Sequence, residues 1–260
     1  MRARTEQMLY RLEWMSLAAG GAAWLPQDRA LPGWVYAQGI TRQLQRLEAQ
    51  GQVETRKGPR GCGREVRLTE SGVAAFALRS DPVSRWSRVW DGSWRVVLFD
   101  VPEQARTVRA RLRQRLVREE FGCLQQSVWI AADSSGEWID EVRRAEPEVA
   151  SLMMLESRTV AGDTAAAMVA QAWNFDVIGR AWNQLAAHLD RMPDDVFCDG
   201  PSSWEWIARE RELVKHCLKL DPLLPEVLIP PGYLGREVWN HRQQVLARLL
   251  AEWSNDIVRD

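Results

Sequence analysis

With 260 residues the chain has room for two or three domains, and 46% apolar with 27% charged residues is the composition of a globular protein. A net charge of −1 excludes polyanion binding by bulk charge alone, and no apolar run approaches the ~18 residues of a membrane span. The charge is unevenly laid out: residues 1–80 hold 12 Lys and Arg against 7 Asp and Glu, and the remainder 22 against 28. A basic first third on a mildly acidic body suits a DNA-binding module joined to something else.

The N-terminal MRARTEQMLYRLEW lacks the apolar core of a signal peptide, so a cytoplasmic location is expected. Met8, Leu12 and Met15 are helically spaced and predict a first helix over residues 5–19, ended by Gly20-Gly21. Pro26, Pro32 and Gly33 then leave room only for a short helix from Pro32 to Ala37. Ile40, Leu44 and Leu47, at i, i+4 and i+7, mark the buried stripe of the next helix. Its opposite face carries Arg42, Gln45, Arg46 and Ala49, with Thr41 at the edge, and Gly51 stops it.

Two half-buried strands follow, one around Val53 and Thr55, the other around Val66 and Leu68. Between them lies the glycine-rich tip Lys57-Gly58-Pro59-Arg60-Gly61-Cys62-Gly63, flanked by Arg56 and Arg64. Thr69 can cap a helix reaching Arg79, with Glu70 at its positive end. Helix, hairpin with a basic tip, helix is the order of a winged helix-turn-helix. A helix fits the major groove, where paired hydrogen bonds from arginine and glutamine read guanine and adenine. Thr41, Arg42, Gln45 and Arg46 are therefore the candidates to face base edges. Arg56, Lys57, Arg60 and Arg64 are the candidates to hold phosphates or enter a neighbouring minor groove. Without DNA as partner, the same residues amount to a solvated helix face and an ordinary basic hairpin.

Asp81-Pro82 reads as a linker, and a new unit opens at Trp90-Asp91-Gly92-Ser93-Trp94. The near-continuous apolar run WRVVLFDV, residues 94–101, predicts a strand buried on both faces. Pro102 suits the first position of a helix to Glu119, with Val108, Leu112 and Leu116 as its buried stripe. Phe121–Cys123 and Gln126–Ala131 read as strands, Glu137–Arg144 as a helix and Ser151–Val160 as a last strand. The order β-α-β-β-α-β is that of the ferredoxin-like fold. Residues 165–260 read as mainly helical, most clearly Trp173–Leu189, Trp204–Leu220 and Arg236–Trp253. Four prolines and a glycine within residues 220–233 forbid a helix there, while the leucines demand packing, so this stretch reads as an extended belt.

Four stretches carry a family resemblance: WDGSW (90–94), VVLFDVPE (96–103), FGCLQQSVWIA (121–131) and DPLLPEVLIPPGYLG (221–235). They resemble, in the same order, the PaaX family of transcriptional regulators, repressors of phenylacetate catabolism and related genes. The resemblance implies an α+β architecture in three domains. These are a winged helix-turn-helix over 1–80, a ferredoxin-like domain over 88–163 akin to small CRISPR-associated nucleases, and a helical domain over 164–260. It further implies a homodimer that binds a double-stranded DNA operator and loses affinity when a small-molecule effector of the aryl-coenzyme A thioester class binds.

Other chemistry finds less support. An aspartate placed like Asp100 binds metal across a dimer in the nuclease relatives, but one aspartate per chain offers too few oxygen ligands, and Asp100 also suits a turn before Pro102. His188, His216 and His241 are far apart, and Cys62, Cys123, Cys198 and Cys217 have neither zinc nor disulfide-motif spacing. No nucleophile–base pattern can be assembled, and the glycines near Gly61 lack the Lys-Ser/Thr of a phosphate loop. The six arginines Arg106, Arg109, Arg111, Arg113, Arg115 and Arg118 are scattered around their helix and suit a solvated face or subunit contact. Trp173, Trp182, Trp204, Trp206 and Trp239 fit either core packing or an aromatic acyl pocket. The reading that results is a dimeric DNA-binding regulator, without enzymatic activity, cofactor, metal or membrane partner. A metal-dependent nuclease and a non-DNA ligand-binding or scaffold protein stand as its alternatives.

Overall fold

The computed structural model describes residues 3–18, 24–27, 40–58, 63–76, 81–158, 162, 164–192 and 201–259. They fall into two compact units, each drawing on separate stretches of chain. One takes Met1–Arg79, Trp182–Lys215 and Glu237–Asp260; the other takes Ser80–Ala181 and His216–Arg236.

The first unit opens with α1 (Ala3–Ala18), close to its expected bounds. Met8, Leu9, Leu12, Trp14 and Met15 are buried, and so are Arg11 and Ser16, so far more than a single stripe of this helix is covered. A three-stranded antiparallel sheet follows in the order β1-β3-β2, made by β1 (Leu25–Pro26), β2 (Val53–Lys57) and β3 (Arg64–Leu68). The two-residue β1 escapes a periodicity reading because it is too short to alternate. It is held by pairing Leu25 with Val66 and Pro26 with Glu65. Helix α2 (Ile40–Ala49) precedes the hairpin and α3 (Glu70–Phe76) follows it. The short helix expected from Pro32 to Ala37 and the Gly20-Gly21 stop lie outside the described residues.

Three later helices supply the rest of this unit: α8 (Phe175–Leu189) from Trp182, α9 (Pro201–Leu220) as far as Lys215, and α10 (Gly235–Arg259) from Glu237. Trp182, Trp206 and Trp239 of these helices are buried and pack against other rings. Trp182 and Trp239 meet edge-on at 6.5 Å, and Trp206 meets Trp14 edge-on at 6.0 Å and stacks on His188 at 4.9 Å. Such aromatic pairs add roughly 0.5–1.5 kcal/mol beyond the area they bury.

The second unit begins with α4 (Pro82–Ser87), where the sequence reads as a linker. Asp81 is its N-cap, accepting from the amides of Val83 at 3.3 Å and Ser84 at 3.0 Å, and Pro82 takes the first helical position. Trp86 gives this single turn a reason to form: it is buried and meets Tyr233 edge-on at 6.0 Å.

Next comes the expected β-α-β-β-α-β: β4 (Trp94–Asp100), α5 (Arg106–Arg118), β5 (Gly122–Gln125), β6 (Val128–Ala131), α6 (Trp138–Ala145) and β7 (Ser151–Ser157). The sheet is antiparallel throughout, ordered β5-β6-β4-β7, which is the ferredoxin-like arrangement. Val97, Phe99, Trp129 and Leu152 on one face pack with Val108, Leu112 and Leu116 of α5 and with Trp138, Ile139 and Val142 of α6. On the opposite face of β4 Trp94 is buried, but Val96 and Leu98 are only half-buried and Asp100 is exposed. An antiparallel sheet needs cover on one side only, so the apolar run overstated the burial. Helix α5 starts at Arg106 instead of Pro102, because Ala105 N–H closes a turn onto the Pro102 carbonyl at 3.0 Å while Val101 stays in the core.

Within the stretch read as mainly helical, α7 (Ala165–Ala172) is capped by Thr164 and ends at Trp173, whose backbone is extended, so the next helix does not begin at Trp173 as expected. Trp173 then lies on Gly122 of β5, where an added Cβ would come within 2.5 Å of the indole, so glycine is required for that approach. The belt is extended as expected, buried from Asp221 to Pro225, with one 3-10 turn at Glu226–Leu228. The Asp221 carboxylate accepts from Leu223 N–H at 2.8 Å and from Tyr233 Oη at 2.6 Å, pinning the belt's two ends together. Burial beside that carboxylate pushes the Tyr233 phenol far up, so it stays protonated and donates. Among the described residues no helix is long and apolar enough to cross a membrane.

Candidate nucleic-acid interface

Leu44 and Leu47 bury one side of α2, and this turns Arg42, Gln45 and Arg46 to solvent on the other. Thr41 lies in the first turn of α2; its side chain falls outside the described residues. The helix ends as the glycine implies. Gly51, at φ +66°, donates to Glu48 O at 2.9 Å, and Gln52 N–H reaches back to Leu47 O at 2.9 Å. This pair of bonds is the Schellman stop, which needs a left-handed residue that glycine adopts without strain.

The stop leads directly into the hairpin, and three further contacts fix the two together. Glu48 accepts from the Thr55 amide at 3.2 Å and its hydroxyl at 2.9 Å. Thr69 Oγ1 donates to Gly51 O at 2.6 Å and accepts from Gly72 N–H at 3.0 Å, so one hydroxyl caps α3 and ties it to the end of α2. A Cβ at Gly72 would overlap the Gln52 carbonyl, so the start of α3 sits against the α2–β2 corner. Helix face and hairpin are therefore one preformed surface.

The hairpin register pairs Val53 with Leu68 and Thr55 with Val66 on the inner side, and Glu54 with Arg67 and Arg56 with Glu65 on the outer. Gly58 N–H bonds to Gly63 O at 3.2 Å below the tip, and Gly63 takes φ +70°. Lys57 and Arg64, opposite each other beside the tip, are exposed and have no ion pair among the described residues. Arg60 lies outside the described residues.

Arg56 stands differently. Its Nε donates to Glu65 at 2.5 Å, and its guanidinium lies over the Trp24 ring, 4.2 Å from the centroid. Arg67 mirrors it, bonded to Glu54 at 2.5 Å and 4.9 Å from the same centroid. Trp24, Glu54 and Glu65 thus shape the cationic surface yet do not belong to the residues picked from sequence. The cross-strand acids were countable from the two strands flanking the tip. Trp24 gave no signal, since it is brought in by the unforeseen β1.

The alternative surfaces are more occupied. On α5, Arg109 donates to Val101 O at 2.5 Å and Arg113 to Gln126 O at 3.3 Å. Arg111 forks onto Glu146 with two bonds of 2.6 Å, which holds that carboxyl below its usual range. Arg115 pairs with Glu119 and Glu141. Arg106 and Arg118 are exposed with no ion pair among the described residues, and Arg111 is exposed though paired, so four of the six arginines on this helix are already engaged. Asp100 is exposed at the end of β4, and no group of three or more His, Cys, Asp or Glu could hold a metal ion among the described residues.

Residues 87–169 match the family described as PaaX protein central Cas2-like domain. Among solved structures the chain is similar to the "Uncharacterized protein Rv0674 from Mycobacterium tuberculosis". That similarity covers 94% of this chain and 95% of that one, with a TM-score of 0.63 and 19% sequence identity. It extends the likeness of fold over nearly the whole chain. No curated protein matches.

Proposed function

We propose that this chain, a PaaX-family protein by its central domain, is a DNA-binding transcriptional repressor of a catabolic operon. The observation that carries the reading is the joined surface of α2 and the hairpin. Arg42, Gln45 and Arg46 are exposed on a helix whose end is locked to a two-stranded hairpin with Lys57 and Arg64 at its tip. In this reading Thr41, Arg42, Gln45 and Arg46 face base edges, and Lys57, Arg60 and Arg64 hold phosphates. Arg56, whose side chain keeps 49% of its surface exposed while Nε holds Glu65, offers its outer edge to the backbone.

Residues 88–163 and 164–260 would then join two copies of the chain and receive a small acyl- or aryl-coenzyme A effector. Two heads held one helical turn apart bind cooperatively, and a change in their spacing weakens both. No step of this requires catalysis by the chain.

Gel-shift titrations at two salt concentrations test the residue roles. Arg46→Ala should relax sequence preference by about 1–3 kcal/mol, whereas Arg60→Ala should weaken all duplexes alike and flatten the salt dependence. Equal effects from the two changes would reject the assignment.

A further inference from the structure

Among the described residues, several deeply buried charges lie on elements other than α2 and the hairpin. In the first unit Glu210 of α9 has no exposed surface, and Arg242 of α10 is 6% exposed. Tyr10 of α1 donates its hydroxyl to Glu210 Oε2. Arg242 donates from Nε to Glu210 Oε1 at 2.6 Å and from Nη2 to Tyr10 Oη at 2.8 Å. Phenol, carboxylate and guanidinium thus close a triangle whose corners stand on three helices. Around it, Arg211 lies 4.7 Å from the Tyr10 ring centroid, Arg242 lies 4.8 Å from that of Trp239, and Tyr10 meets Trp14 edge-on at 5.9 Å.

Burying an ion pair adds little net stability compared with apolar packing, but breaking one by removing a single partner is costly. Its distinctive contribution is geometric: only one arrangement of α1, α9 and α10 closes all three bonds. Helix α1 in turn packs against β3 and α3. The contacts therefore run, inside one unit, from the last helices through α1 to the hairpin sheet.

We propose that the Tyr10–Glu210–Arg242 triangle is a latch by which α9 and α10 hold α1 and the hairpin sheet. The DNA-reading head is then a composite of both ends of the chain, and residues 1–80 alone do not make it. Calling it a DNA-reading head rests on the function proposed above; the latch itself does not. The three residues act as positioning residues, through α1, and not as base-reading ones.

Hydrogen exchange of the full-length protein, read peptide by peptide, tests the latch without DNA. Arg242→Met leaves Glu210 buried without its cation, so peptides of α1 and β2–β3 should lose protection by about a hundredfold or more, while those of β4–β7 keep theirs. Adding Glu210→Gln removes the orphaned charge and should restore at least about tenfold of that protection. Duplex affinity should follow the same pattern, falling with the single change and recovering with the double. Wild-type protection of α1 and β2–β3 in Arg242→Met, or an equal loss across β4–β7, overturns the latch. Should Arg242→Met fail to fold, Tyr10→Phe decides. That change keeps the ring and removes one buried donor, so it should cost the same peptides about tenfold, and no change there overturns the proposal. A wild-type protein that ignores DNA yet shows this exchange pattern would keep the latch and sink the regulator reading.

Discussion

Glu65→Gln is the most informative single change at the proposed interface. Across the hairpin Arg56 faces Glu65 and Arg67 faces Glu54, so the outer side of β2 and β3 carries two cations cancelled by two anions. Arg56 keeps 49% of its side-chain surface exposed against 11% for Glu65, so the pair is half-buried and its charge-assisted bond contributes about 1.5–3 kcal/mol. Glutamine keeps an acceptor for Arg56 Nε, so the fold should survive. What changes is the charge presented to a duplex. One more phosphate neutralised steepens the dependence of log affinity on log salt by about 0.9. Over a fourfold rise in salt, the variant should therefore lose about 3.5-fold more affinity than the parent. At low salt it should bind a scrambled duplex and the promoter duplex more tightly, since the gain carries no sequence information. Fluorescence anisotropy with both duplexes at two salt concentrations reads all of this. An unchanged slope, or weaker binding to both duplexes at low salt, would refute the placement of the hairpin against phosphates.

Gly72→Ala forces the Gln52 carbonyl and Leu68 to move, and should cost about 1–3 kcal/mol by overpacking, read as a lower urea midpoint. His188 stacks on Trp206 with its Nε2 3.0 Å from the Trp206 carbonyl, and burial there pushes its pKa down, outweighing the Trp206 bond and Glu210 that favour the cation. The folded state therefore holds this ring neutral where the unfolded chain protonates it. Stability should be full above about pH 6.5 and decline as pH falls below it until the folded protein also takes the proton, and His188→Gln should flatten that decline in thermal scans. Incubation with RNA or DNA and Mg²⁺ should leave both intact, with Asp100→Ala indistinguishable; cleavage lost on that substitution would favour the nuclease alternative.

The sequence was most legible where one residue type forces one local geometry. Gly51 announced the end of α2, Thr69 the cap of α3, and the spacing of Val108, Leu112 and Leu116 the buried side of α5. The ferredoxin-like strand order followed because hairpin and crossover rules leave few arrangements for that element order. Features created by tertiary contact stayed hidden. Helix α4 needs Trp86 docked on Tyr233, and β1 exists only by pairing with β3. Nothing local in Tyr10, Glu210 or Arg242 reveals that they meet, because their partnership spans 200 and 32 residues. At the candidate site, the exposed face of α2 could be read from periodicity. The neutralising glutamates required the strand register, and Trp24 required the fold itself.

Nuclease protection of the DNA upstream of this chain's own gene asks most directly whether the α2–hairpin surface is a DNA reader. Two protected half-sites centred about 10 bp apart, or a multiple of that, are expected at low salt and should vanish in an Arg42→Ala/Gln45→Ala/Arg46→Ala variant. A purified, folded protein that leaves that DNA uniformly cleaved at low salt would contradict the proposal.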